Sequence, residues 1–159
     1  MRVLLLVLTV LVYTSTGAQD KQDTILRRCP VFITDTASSN NFFIEGMACT
    51  LRVYRVKGDL TVQVQQRDQF FALYFHVKRL KNKVYEIDDG SRSRKEVEAA
   101  YSFKSGDQVS FIGVSKGKLE VSFDKAKNMW HLVVNGTIRN MVERSVTYYR
   151  VKSDFYIKD

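Results

Sequence analysis

Residues Asp59–Arg79 read DLTVQVQQRDQFFALYFHVKR, and two runs within this stretch alternate. In the first, Leu60, Val62 and Val64 are set against Thr61, Gln63 and Gln65. In the second, Leu73, Phe75 and Val77 are set against Tyr74, His76 and Lys78. A period of two is the geometry of a half-buried strand, because successive side chains leave a pleated backbone on opposite sides. The polar face of the second run carries a phenol, an imidazole and an ammonium, all able to hydrogen-bond. It is either the wet side of a strand or a binding surface.

The same pattern extends outward in both directions. Upstream lie PVFIT at 30–34, FFIEG at 42–46 and ACTLRVYRV at 48–56, broken by the polar DTASSNN. Downstream lie KVYEI, EVEAAYSF, VSFIGVS, LEVSFD, MWHLVVNG, SVTYYRV and DFYIKD. The breaks KGD, KN, KSGDQ, KGK and AKN, rich in Gly, Asn and Asp, read as turns. KEVEAA holds good helix formers, but one turn of helix among so many strands is overridden by pairing. The fold class is all-β, and strands at this spacing make a two-sheet sandwich or a barrel.

The first 18 residues are of a different kind. MRVLLLVLTVLVYTSTGA has one positive charge at Arg2, an apolar run to Tyr13 and small residues ending at Ala18. That is the layout of a secretory signal peptide, and its apolar run is short for a bilayer-spanning helix, which needs roughly 20 residues. The expected product is secreted and extracellular, without a transmembrane segment. Residues 19–31 read as a loose lead-in and residues 32–159 as one β-domain, long enough for a single core.

The formal charge of the chain is +8. For a secreted protein this disfavours nucleic acid as a partner and favours anionic glycans or other acidic surfaces. Cys29 and Cys49 are an isolated pair, which in an oxidising compartment is expected to form a disulfide. Two buried thiols are the alternative, and neither cysteine has the spacing of a zinc site. Asn135 heads the sequon NGT and is the expected site of a glycan.

No nucleophile elbow, HExxH, phosphate-binding loop or dinucleotide fingerprint occurs, so no enzyme and no cofactor is expected. Asp88 and Asp89 would diverge on a strand, which is poor geometry for a catalytic pair. Trp130 reads as a packing residue or as a platform for a sugar ring. The run KRLKNK at 78–83, with Arg92, Arg94 and Lys95, would form a basic patch if the intervening loop folds back. The ordinary alternative is a solvated, charged edge.

The order of segments resembles the galectin family. IEGMACTLRVYRV, DLTVQVQ, FFALYFHVKR, KVYEIDDG, YSFKSGD, KLEVSFD and SDFYI are similar to its successive strands, over roughly residues 32–157. The resemblance implies a jelly-roll β-sandwich of two antiparallel sheets binding β-galactosides on one face. Carried across, the family's His, Asn and Arg on the central site strand correspond to Tyr74, His76 and Lys78. The Asn of the next strand falls near Ile87, and the stacking Trp and its following Glu fall near Arg92 and Lys95. Glu96 or Glu98 stands where it could replace that Glu. None of the family's sugar-binding residues is kept. The implied carbohydrate-binding set is Tyr74, His76, Lys78, Arg92, Lys95 and Glu98, with specificity shifted toward sulfated or acidic glycans and glycoproteins. A signal peptide departs from most galectins, although secreted invertebrate galectin-like domains, nematode ones among them, carry one. The other reading is a galectin-fold module that has lost sugar binding and recognises a protein partner or a second copy of itself, as a homodimer.

Overall fold

The computed structural model describes residues 22–43, 46–88, 95–142 and 145–159. The expected signal peptide lies outside the described residues. Among the described residues ten strands are formed: β1 Gln22–Leu26, β2 Val31–Asp35, β3 Cys49–Val56, β4 Asp59–Gln66 and β5 Gln69–Phe75, followed by β6 Lys83–Asp88, β7 Val97–Ser105, β8 Gln108–Asp124, β9 Met129–Val142 and β10 Ser145–Ile157. The protein is all-β, with no helix among the described residues.

Every pairing is antiparallel, and the strand order is β1-β3-β4-β5-β7-β8-β9-β10-β2, with β6 paired to β8. Sequence neighbours pair in turn from β3 to β5 and from β7 to β10, as a meander does. The first and last strands of this order, β1 and β2, are successive in the chain and joined only by Arg27–Pro30. The sheet therefore curls until its edges come together at that corner. Hydrogen bonds hold the corner from both sides: Cys29 N–H donates to the Met47 carbonyl at 3.1 Å, and Asp154 N–H donates to the Pro30 carbonyl at 3.3 Å.

The curl has one inner face, and alternation fills it. Leu60, Val62 and Val64 of β4, Phe71, Leu73 and Phe75 of β5, and Leu119 and Val121 of β8 join Leu132, Val134 and Ile138 of β9 in a single buried cluster. Ser153, inward on β10, is the exception: its hydroxyl is buried without a partner among the described residues.

Strand β8 is what turns the sheet. Its first part, Gln108–Gly113, pairs with β7, and its second part pairs with β6 on one side and β9 on the other. The ladder to β9 shifts register between Val114 and Lys116, a bulge that bends the strand. Just beyond it Gly117 faces Gly136. A Cβ on Gly117 would lie 2.8 Å from the Asn135 carbonyl oxygen and from the Gly136 Cα, so the backbones approach more closely than any side chain permits.

Several features of the fold differ from the sequence reading, and one is that Phe42 and Phe43 of FFIEG lie in a bend rather than a strand. KGK at 116–118 is not a turn but the middle of β8, its glycine serving close packing. β5 ends at Phe75, so the alternation at His76–Lys78 continues beyond the strand. The lead-in is not loose throughout, because Gln22–Leu26 pairs with β3. Finally, Cys29 and Cys49 are free, buried thiols rather than a disulfide. A hydrogen bond between them takes the place of the bond, lowering the pKa of Cys29 and raising that of Cys49.

Candidate functional site

The strands deliver side chains to places where a ligand has room, among them a cavity at one end of the curled sheet and a shallow groove on its outside. The end cavity has a volume of about 400 Å3. Its lining comes from widely separated parts of the chain, including Ile33 on β2, Phe42 after it, Tyr101 and Phe103 on β7, Ile112 on β8 and Tyr149 on β10. Alternation turns these residues inward, and the divergence of β8 from β9 beyond the bulge leaves the space between them.

Aromatic rings form the wall. Phe42 meets Tyr149 edge-on at 5.2 Å between centroids and lies 6.3 Å from Tyr101, which in turn lies 5.8 Å from Phe103. Such tilted and edge-on pairs suit the ring quadrupole and stiffen the wall. Burial, with a smaller contribution from Tyr149, raises the Tyr101 hydroxyl from its ordinary 10.0 to about 12. It stays protonated at neutral pH and donates to Gln69 Oε1 at 3.3 Å. Arg67, Asp68, Lys104 and Asn140 complete the lining on its polar side. Arg67 takes a left-handed backbone at φ 53°, which turns β4 into β5.

The outer groove, about 180 Å3, lies where β6 gives way to β7 alongside β8. It gathers three of the expected carbohydrate-binding residues, Tyr74, Lys95 and Glu98. Tyr74 and Glu98 are cross-strand partners on β5 and β7, and Lys95 Nζ stands 3.8 Å from Glu98 Oε1. Burial, followed by Tyr54 and Glu98, raises the Tyr74 hydroxyl above its usual range. The floor is made of small residues, Ala100 and Gly113, with Phe111 exposed beside them.

The other expected residues are elsewhere. His76 turns away to Asp59, with Nδ1 2.9 Å from Oδ2. Lys78 is exposed past the end of β5 and makes no hydrogen bond or ion pair among the described residues. Arg92 lies outside the described residues, as does most of the loop that would have assembled the basic patch. Lys83 of that patch pairs with Glu96 instead. Asn135 is exposed in the middle of β9. Trp130 packs against the core, edge-on to Phe123 at 5.1 Å, and is no open platform.

Sequence reasoning missed the end cavity because its residues share no local motif. One further cluster was equally hidden. His131 stacks on Tyr156 at 4.4 Å and reaches Asp154 at 2.6 Å, while Lys127 lies 3.5 Å over the same tyrosine ring. Among the described residues no group of three or more His, Cys, Asp or Glu side chains is placed to hold a metal ion. No helix long and apolar enough to cross a membrane occurs among the described residues.

Comparison with known proteins supplies no relative. No protein family, curated protein or solved structure matches this chain.

Proposed function

We propose that this chain is a binding protein for a small, largely apolar molecule, held in the aromatic-walled cavity at the end of the curled sheet. The observation that carries this reading is the cavity itself: about 400 Å3 walled by Phe42, Tyr101, Phe103 and Tyr149, with a few polar groups converging on it. A concave, mostly apolar space of this size with sparse, placed polar groups is the ordinary form of a small-molecule site. On this reading the sheet is an up-and-down barrel, an architecture that at about eight strands has just enough interior for side chains or one small ligand. With residues 1–18 read as a signal peptide, the protein acts as an extracellular carrier or scavenger.

A second cleft, about 500 Å3, opens between β1, β3 and the end of β10. It follows the seam where the edges of the sheet meet, and its walls, Leu26, Leu51, Val53, Phe155, Tyr156 and Ile157 beside the charged Asp154 and Lys158, are side chains of that closure. We therefore assign the ligand to the aromatic end.

The test is titration with the neutral fluorophore N-phenylnaphthylamine, whose emission rises in an apolar site. Saturation at one probe per chain, lost when Ile112→Trp fills the cavity, is the expected result. Absence of saturable binding, or binding indifferent to Ile112→Trp, would refute the reading.

One observation favours a second reading, the galectin-like lectin of altered specificity. Tyr74, Lys95 and Glu98 do meet in one groove, with an exposed aromatic ring at Phe111. On that reading the sheet is a divergent galectin sandwich, and an acidic or sulfated sugar lies against Tyr74 and Lys95. Glycan-array binding that disappears in Tyr74→Ala and Lys95→Ala is its expected signature, and an array without hits removes it.

A further inference from the structure

We infer that the end cavity selects amphiphiles carrying one anionic head, a carboxylate or sulfonate, over neutral molecules of the same apolar shape; this rests on the small-ligand reading above. The inference comes from how charge is distributed around the lining. The wall is uncharged and aromatic, so it gives a ligand's body shape and apolar contact but no preference of sign. Among the described residues charge enters only through Arg67, Asp68 and Lys104.

These three residues are held close to one another. Arg67 and Asp68 lie between β4 and β5, Lys104 lies near the end of β7, and the Lys104 N–H donates to the Asp68 carbonyl at 2.8 Å. Neither the Arg67 guanidinium nor the Lys104 ammonium forms an ion pair or side-chain hydrogen bond among the described residues. Elsewhere the cations are commonly engaged: Arg52 with Asp23, Arg55 with Asp159, Lys83 with Glu96 and Lys127 with Asp124. Two unengaged cations and one carboxylate leave the lining with a surplus of one positive charge beside an apolar space.

A ligand whose body fills the aromatic end would place its head among these groups. An anionic head gains charge-assisted hydrogen bonds from Arg67, whose planar fork matches a carboxylate or sulfonate in two-pronged fashion, and from Lys104. Asn140 adds an amide donor to the same lining. A cationic head would have only Asp68 and would face both cations. The protonated Tyr101 hydroxyl offers its proton to Gln69, and among the described residues no carboxylate besides Asp68 lines the space to repel an anion.

A matched pair of probes isolates the head group. Anilinonaphthalene sulfonate and N-phenylnaphthylamine share one ring system and differ by the sulfonate. Titrated against the full chain at low salt, the anionic probe is expected to bind about tenfold more tightly, the worth of one or two charge-assisted contacts. The ratio of the two affinities is the readout. Arg67→Gln combined with Lys104→Gln should bring it close to one, Asp68→Asn should raise it, and added salt should lower it. A ratio near one in the parent protein, or one that the double substitution does not move, would overturn the head-group inference and leave the cavity reading standing. An anionic-probe signal that survives Ile112→Trp would place that probe outside the cavity and would also overturn it. Failure of both probes to bind saturably would remove the small-ligand reading and this inference together.

Discussion

Tyr101 shows how one residue can report on the cavity. Its hydroxyl is raised to about 12 because burial disfavours the phenolate, whereas in the unfolded chain it titrates near 10. Between those values the unfolded chain has released a proton that the folded chain retains. Stability is therefore unaffected by this group below about pH 10 and falls as pH rises from about 10 to about 12. An absorbance titration of tyrosinate should show late-ionising tyrosine to which Tyr74 also contributes, and Tyr101→Phe should reduce its amplitude by one residue. Ser153 offers a test of the opposite kind. Its buried hydroxyl faces the core without a partner, so Ser153→Ala should be neutral or stabilising by up to about 1 kcal/mol in urea denaturation. At this scale the sequence was legible wherever side chains alternate strictly, as at Leu60–Val64 and Leu73–Phe75. It was silent on Tyr101, Arg67 and Phe42, because what makes them a site is register between distant strands. The cysteines mark a different limit: spacing and compartment suggest a bond, and only the local packing shows two thiols sharing a hydrogen bond.

Among the elements, β8 is the one whose sequence misleads. Lys116–Gly117–Lys118 has the composition of a turn, yet the strand runs through it because Gly117 meets Gly136 of β9 at a distance that excludes a Cβ. Composition cannot distinguish a glycine that allows a turn from one that allows two backbones to touch. Gly117→Ala should cost about 1–3 kcal/mol, since its new methyl meets backbone on β9 that cannot swing aside. In Gly136→Ala the first obstacle is a side-chain atom, Val114 Cγ1 at 2.9 Å. A cycle with Val114→Ala should therefore reveal coupling between the two positions, whereas Gly117→Ala should show little coupling to Val114. Chemical denaturation of the single and double variants measures both.

For the whole molecule, the question is what keeps the curl closed. Besides the corner at Arg27–Pro30, one polar link spans the opposite end. Arg55, at the end of β3, donates from Nε to Asp159 Oδ1 at 2.9 Å and from Nη2 to Oδ2, and its Nη1 reaches the Gly58 carbonyl at 2.8 Å. This two-pronged pair ties β3 to the segment after β10 across the seam. Because both side chains retain solvent access, a double-mutant cycle with Arg55→Ala and Asp159→Ala should give a coupling of about 1 kcal/mol that shrinks with added salt.

Closure at the β1–β2 corner also governs time. The one strand that β2 joins among the described residues is β10, and the hydrogen bond from Thr36 to the Tyr148 carbonyl joins residues 112 apart in the chain. Contacts so distant are reached only after a long loop has been closed, and chains dominated by them fold slowly. During synthesis β3, β4 and β5 can pair as they emerge, but β2 must wait for β10, the last strand among the described residues. For that interval its apolar residues Val31 and Ile33 have no sheet to join, so the growing chain passes through a stage in which an unpaired edge is most open to wrong partners.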